Sequence, residues 1–276
     1  MSDQETHPRA VRYVQADRIT TEHAAGHSVA ESVCVVEEAA VTIDVEGVES
    51  FTILCTPTER RALAVGFLFS EGVIDSMTDI KLVKHCQDDP NTIRVQLTHP
   101  EPRVDVARRN LLIVSSCGAC GSEHLNERID ALPKVGDDFR IEAGRLQSVY
   151  GAMSTWQNLF RACGGTHAAA VFNEHGAILA CAEDTGRHNA LDKAVGRCVM
   201  DGIRTADQAV ALTSRLSLEM VAKCARAGIE LIAAVSAPTS LAIDVAQKCN
   251  ITLCAFVREM RATVFTHPHR VLGAER

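Results

Sequence analysis

The sequence predicts an α/β protein, α+β in its overall layout, whose C-terminal part is built on a parallel sheet. Two observations carry this reading. In the last third, apolar runs at 209–213, 229–235 and 251–257 alternate with helix-length stretches at 216–227 and 240–248. Strand–helix–strand–helix–strand at this spacing calls for right-handed crossovers and parallel pairing. Between 32 and 55, three strand-like runs (32–36, 40–45 and 50–55) follow one another, with Glu46-Gly47 as a turn, in the pattern of a β-meander.

The remaining elements follow in order. Residues 1–27 are polar, show no period and read as a loose, flexible N-terminal tail. Thr56-Pro57-Thr58-Glu59 opens a helix with Thr58 as its cap; the helix runs through Leu63, Val65, Phe67 and Leu68 to Glu71-Gly72. Alternating runs at 80–86 and 92–97 predict half-exposed strands. A short apolar strand at 111–114 leads into a loop of small residues at 115–122. Residues 133–145 read as a linker. The domains are therefore the tail 1–27, a β-rich subdomain 28–143 and an α/β domain 144–276. In the last of these a helix is expected over 146–162, stopped by Gly164-Gly165. Strands at 167–172 and 177–182 follow, then a polar loop, 183–193, that feeds a helix.

The 276 residues are 46% apolar and 23% charged, a globular balance that excludes a disordered chain and is long enough to bury a core without staples. Aromatics are only 4%, so the core must rest on Ala, Val, Leu and Ile, and a base-stacking platform for single-stranded nucleic acid is disfavoured. The formal charge of −7 gives no general attraction to nucleic acid or anionic membranes. Residues 1–20 lack a signal-peptide pattern, and no apolar run approaches the ~20 residues of a membrane span, so a cytoplasmic location is expected. Eleven cysteines, odd in number and irregular in spacing, do not make a disulfide scaffold. Cys34, Cys163, Cys181, Cys198, Cys224, Cys249 and Cys254 lie in apolar stretches and read as small buried hydrophobes.

Ligands of parallel sheets bind outside the carboxyl ends of the strands. Three loops are therefore expected on one edge: Ser214-Arg215, Ser236 to Ser240, and Arg258-Glu259-Met260-Arg261. The middle loop meets a helix N-terminus, which favours an anion, and Arg215, Arg258 and Arg261 can fork onto phosphate oxygens. Arg187-His188-Asn189, opening another helix, can join them. Singly, Ser236, Thr239 and Ser240 read as caps and the arginines as solvated surface; their shared edge is what points to a phosphorylated ligand. No loop has the glycine pattern of a P-loop or dinucleotide fold.

Cys117 and Cys120 form a C-x-x-C pair in the glycine loop. Three uses suit it. It can hold half a zinc site, although no second C-x-x-C exists and His124 is a poor lone partner. It can cycle between dithiol and disulfide, although the thioredoxin context is missing. Or one thiolate can accept sulfane sulfur as a persulfide and pass it on. The residues alone leave all three open.

Ser115-Ser116-Cys117-Gly118-Ala119-Cys120-Gly121 resembles the SSCG-x-CG signature of the FdhD family of sulfur carriers. Ala64-Val65-Gly66-Phe67-Leu68-Phe69-Ser70-Glu71-Gly72-Val73-Ile74 and Gly164-Gly165-Thr166-His167-Ala168-Ala169 are similar to two further blocks of that family. So are Glu183-Asp184-Thr185-Gly186-Arg187-His188-Asn189-Ala190-Leu191-Asp192-Lys193 and Val235-Ser236-Ala237-Pro238-Thr239-Ser240-Leu241-Ala242. The likeness spans roughly residues 30–270, in order. It implies a sulfurtransferase that takes persulfide sulfur from a cysteine desulfurase on Cys117; in such a carrier Cys120 assists delivery or resolves the persulfide. The acceptor it implies is the molybdenum (or tungsten) bis-guanine-dinucleotide pterin cofactor of formate dehydrogenase. It further implies that the cofactor binds at Phe256, Val257, Arg258, Glu259, Met260 and Arg261, that the larger domain is a cytidine-deaminase-like three-layer α/β domain without bound metal, and that the protein is a homodimer. In this chain Glu259-Met260 stands where the family more often carries glycine, and a carboxylate there repels an anion unless it points away. Serine also replaces glycine at Ser214. Two other classes compete: a cofactor-binding chaperone without sulfur chemistry, and a zinc hydrolase of deaminase type, against which stands the lack of an H-x-E segment before Cys117.

Overall fold

The structure, a computed structural model, describes residues 10–20, 27–99 and 122–273. In chain order these form β1 (Val11–Thr20), β2 (His27–Val36), β3 (Ala39–Val45), β4 (Glu49–Cys55), α1 (Arg60–Ser70), β5 (Ile80–His85) and β6 (Thr92–Leu97). Next come α2 (Ser122–Asp130), β7 (Ile141–Glu142), α3 (Ala143–Ser154), α4 (Asn158–Cys163), β8 (His167–Phe172), β9 (Ile178–Asp184) and α5 (Arg187–Met200). The chain closes with β10 (Ala209–Leu212), α6 (Leu218–Arg226), β11 (Leu231–Ala234), α7 (Ser240–Lys248), β12 (Thr252–Arg258), β13 (Arg261–Thr266) and β14 (Val271–Leu272). The strand expected at 111–114 and the loop carrying Cys117 and Cys120 lie outside the described residues.

The smaller sheet has the order β4-β3-β6-β5. Val41, Ile43 and Val45 alternate with Thr42 and Asp44 along β3, so one face is buried and the other is wetter. The strand beside β3, other than β4, is β6, in parallel register; the expected meander is corrected here, because β2 pairs with β1 instead. That hairpin also corrects the tail: Val11–Thr20 is a strand. Its period is hidden in the sequence because nearly every residue of β1 is exposed, and ion pairs Arg12–Glu37 (3.4 Å) and Arg18–Glu31 (3.0 Å) decorate it.

The larger sheet has the order β13-β12-β11-β10-β8-β9. Strands β10, β11 and β12 are parallel, as the crossover spacing requires, and β8, β9 and β13 join antiparallel to their neighbours. Ala169, Val171, Val210, Leu212 and Ile232 face a core shared with α5, α6 and α7. Ala168, Ala170, Phe172, Ala211 and Leu231 face a second core capped by α3. Strand alternation thus fills both faces of one sheet and makes three layers. The helix expected over 146–162 is broken in two. Ser154 Oγ donates to Gly151 O (2.7 Å) and Thr155 Oγ1 to Ala152 O (2.8 Å), side-chain bonds that compete with the helical ladder.

The expected linker is fastened to the larger domain. Glu230, fully buried, accepts hydrogen bonds from Asp138 N (3.2 Å), Phe139 N (2.8 Å) and Arg270 Nε (3.2 Å), while Arg270 Nη2 reaches Gly136 O (2.6 Å). Of the cysteines expected to be buried, Cys181, Cys198, Cys224, Cys249 and Cys254 are; Cys34 and Cys163 are only half-buried.

From Ala62 to Phe69, α1 is apolar all round because it is covered on both sides. Phe67 meets Phe51 of the small sheet at 5.2 Å between ring centroids. The opposite face of α1 crosses α5 at two glycines. A Cβ on Gly66 would lie 1.8 Å from Asp192 O, and one on Gly196 would lie 1.9 Å from Ala62 O. Thr58 does not cap this helix: Glu59, at φ 51°, takes the N-cap position and no side chain bonds there. Because neither backbone can yield, Gly66→Ala should cost about 3 kcal/mol or more. Gly151→Ala, in α3 with open space around it, should instead gain about 0.5–1 kcal/mol. Urea midpoints of the two variants, at unchanged m, check both signs.

Candidate functional site

The expected edge is present, and backbone bonds tie its loops together. Beyond β10 and β11 the chain continues in parallel pairing, Leu216 against Pro238. Leu216 N donates to Ala237 O (3.1 Å), Thr239 N to Leu216 O (2.9 Å) and Phe256 N to Ser236 O (3.4 Å). Arg215, Ser236 to Ser240 and Phe256 are therefore neighbours. The start of β8 belongs to the same edge, since Thr213 Oγ1 accepts from Ala168 N (2.9 Å) and His167 pairs in register with Asp184. The N-terminus of α5, at Arg187, follows directly.

The members differ in how free they are. Thr239 is engaged as a cap, accepting from Ala242 N at 3.2 Å. Ser240 and Arg215 are exposed. Val257 is buried and belongs to the core rather than to the surface of the edge. Phe256, at φ 55°, packs at a tilt against Phe265, with 6.4 Å between centroids. Arg258 and Arg261 face one another across a two-residue hairpin turn, with Glu259 and Met260 both at positive φ (53° and 58°). Such turns favour glycine or asparagine, so this pair is strained. Glu259 points to Arg261 Nη2, at 2.8 Å.

The arginines do not gather on one point. Arg187 follows β9, at one end of the sheet order, and Arg258 to Arg261 join β12 to β13 at the other. At about 4.8 Å per strand, the edge is roughly 20 Å wide. Along it, Arg187 Nε and His188 Nε2 after β9 and Ser217 Oγ after β10 are buried with no hydrogen-bond partner among the described residues. Burial, with the charges of Arg187 and Lys223 adding to it and those of Glu219 and Glu71 opposing, pushes His188 from its usual 6.5 down to about 4. Burial and Arg187 also lower His167.

Most of the segment 183–193 does other work, which sequence reasoning missed. Glu183 accepts from Leu159 N and Phe160 N (both 2.8 Å) and so caps α4. Asp184 is fully buried and holds Lys193 Nζ at 2.6 Å, Thr56 N at 3.1 Å and Gly186 N at 2.8 Å. Lys193 also donates to Thr56 O (2.9 Å). Asp192 meets Lys223 Nζ of α6 at 2.9 Å, and Lys223 reaches Glu71 (3.1 Å) and Ser70 Oγ (2.8 Å) at the end of α1. Burial alone would depress Lys223, but Asp192 and Glu71 outweigh it and hold the amine above its usual value. The sequence signal for this network is weak, because Glu183, Asp184, Asp192 and Lys193 stand in a segment that reads as a polar loop feeding a helix. A third acidic group, Asp138, Asp207 and Glu230, brings three carboxylates together, but Glu230 is already taken by Arg270.

These features define a two-lobed α/β protein in which a three-layer domain, locked by buried ion pairs to a smaller β-rich lobe, leaves an arginine-lined strand-end edge open. Within that class the chain belongs to the FdhD/NarQ family, whose model matches residues 36–272. It is 37% identical over 239 residues to the sulfur carrier protein FdhD of Bordetella bronchiseptica, covering 86% of this chain and 87% of that one. To the protein of the same description from Saccharolobus solfataricus it is 35% identical, covering 95% and 99%. Its fold matches a crystal structure described as that of a formate dehydrogenase accessory protein from Desulfotalea psychrophila, with a TM-score of 0.72 and 24% identity, over 94% of this chain and 99% of that one.

Two outcomes are expected. Lys223→Met removes the ammonium that buried Asp192 and Glu71 share and should cost about 3–5 kcal/mol in urea denaturation. Unfolded His188 takes its proton near 6.5, whereas the folded ring resists down to about 4, so the native state loses stability as pH falls across that interval. His188→Gln lacks that loss. Its stability relative to the parent chain should improve between about pH 7 and about pH 4.5; parallel pH curves would show that the ring is freely hydrated.

Proposed function

We propose that this protein is a sulfur carrier and sulfurtransferase required for formate dehydrogenase activity. Cys117 thiolate attacks the outer sulfur of a persulfide on a cysteine desulfurase. The donor's S–S bond breaks, its electron pair leaves with the donor thiolate, and Cys117 becomes the persulfide. Cys120 thiolate, three residues on, then attacks the inner sulfur of the Cys117 persulfide; that S–S bond breaks, a Cys117–Cys120 disulfide forms for a thiol reductant to reopen, and the outer sulfur leaves at the sulfide level for the substrate, the molybdenum or tungsten bis-guanine-dinucleotide pterin cofactor. The formate dehydrogenase catalytic subunit is the destination.

The observation that carries the reading is family membership over 36–272, a span that contains the C-x-x-C pair and whose relatives are described as sulfur carriers. The edge supports it physically. A dinucleotide cofactor is long and carries several phosphates, which suits arginines and helix N-termini spread over roughly 20 Å. In this reading Arg187, His188 and Ser217 engage one end of the cofactor. Arg215, Ser236, Ser240, Phe256, Arg258 and Arg261 engage the rest, on a deaminase-type scaffold acting as a homodimer in the cytoplasm. No helix among the described residues is long and apolar enough to cross a membrane.

Peptide mass spectrometry after incubation with a cysteine desulfurase and cysteine tests the proposal. A one-sulfur adduct on Cys117, removed by reductant and absent in Cys117→Ala, is expected. An adduct on neither Cys117 nor Cys120, with the desulfurase active on a control acceptor, would favour a binding chaperone. So would a Cys117→Ala chain that still supports active formate dehydrogenase in cells.

A further inference from the structure

Nine cysteines lie among the described residues, and two of them, Cys34 and Cys163, are not buried. Both line one open cavity of about 340 Å³ between β2 and the end of α4, together with Arg18, Glu31 and Arg161. The strand register explains why they meet. Cys34 and Val36 share a face of β2. Val36 packs against Gly165, where an added Cβ would lie 2.9 Å from Val36 Cγ1. Gly165 follows Cys163 by two residues, so the same contact carries Cys34 toward Cys163. Gly164, at φ 68°, ends α4 directly after Cys163. Among the other described thiols, burial pushes Cys55, Cys181, Cys198 and Cys254 up to about 12 and raises Cys224 and Cys249 as well.

We propose that Cys34 and Cys163 are a reversible dithiol–disulfide pair whose oxidised form latches the β1–β2 hairpin to the end of α4. The bond would tie the hairpin to the domain covalently, where β1 itself is exposed along nearly all its length. Cys163 Sγ donates its hydrogen to Leu159 O at 3.1 Å, which leaves Cys34 as the first nucleophile. Its thiolate attacks the S–S bond of a low-molecular-weight disulfide and expels one small thiol. Cys163 then attacks the Cys34 sulfur of the mixed disulfide and expels the second. The two protein thiols are oxidised, the small disulfide is reduced, and the two protein protons leave on the released thiols. This pair is separate from the Cys117 chemistry and does not depend on it.

The test equilibrates the full chain with oxidised glutathione, quenches with acid, alkylates in denaturant and maps the peptides. A cross-link between the peptides of Cys34 and Cys163 is expected; it should disappear with dithiothreitol and be absent in Cys34→Ser and in Cys163→Ser. Trypsin cleavage of the native chain after Arg18 should slow several-fold on oxidation, only when both cysteines are present. The link should persist in a chain carrying Cys117→Ser and Cys120→Ser, which removes the other reactive pair. Absence of the link, glutathione retained on either cysteine in its place, or a link that leaves the Arg18 cleavage rate unchanged overturns the proposal.

Discussion

Where α1 crosses α5, the two helices touch backbone to backbone, with Gly66 over Asp192 O and Gly196 over Ala62 O. No side chain separates them, so their spacing and crossing point have no slack. This contact makes α1 the shared layer of two cores: one side closes the small sheet, the other lies on the helices that cover the large sheet. The ionic bonds are arranged around it. Lys223 gathers groups from α1 and α5, and Lys193 joins Asp184 at the end of β9 to Thr56 beyond β4. Buried charge pairs add little net stability over apolar packing, but they are directional, and a sliding helix would break them. Glycine sets the distance between the lobes; the lysines set the register.

That register fixes the open edge. α5 can be placed on α1 in only one way, and its first turn carries Arg187 and His188 to the end of β9. At the far end, the β12–β13 hairpin turns on two residues and so holds Arg258 and Arg261 in step. Between them, the loops after β10 and β11 are held by main-chain bonds rather than side chains. An edge built in this way is stiff along its whole width, which suits a long, multiply charged ligand better than a single phosphate.

The parallel core was legible because three apolar runs separated by helix-length amphipathic stretches admit one chiral solution; helix 240–248 and strands 92–97 and 167–172 coincide with those observed. Exposed strands were not legible. β1 buries too little for its alternation to show, so residues 11–20 read as tail and β2 was assigned to the wrong sheet. The break at Ser154-Thr155 was hidden because hydroxyl bonds to the backbone leave no apolar period to detect. At the site, the edge was readable from topology alone, since strand ends and helix starts follow from element order. The division of labour within residues 183–193 was not. Arg187, His188, Asp184 and Lys193 are all polar residues near a helix start, and only the fold separates those aimed at the edge from those sealed between the lobes.

Glu259 raised the one electrostatic objection to an anion at this edge, and its geometry answers it. The carboxylate turns onto Arg261, and both side chains are largely exposed, at 70% and 65%. A pair in that setting is worth about 0–1 kcal/mol and is screened by salt. A phosphate offers the same guanidinium two acceptor oxygens and at least equal charge, in a fork geometry that a single carboxylate oxygen does not use. Exchange of one partner for the other is therefore energetically open. The cost of Glu259 and Met260 lies instead in their backbone, where two non-glycine residues at positive φ store roughly 1–2 kcal/mol each. In this chain the turn is strained while Arg258 and Arg261 stay exposed, so Glu259 and Met260 burden the fold more than they would obstruct an anion.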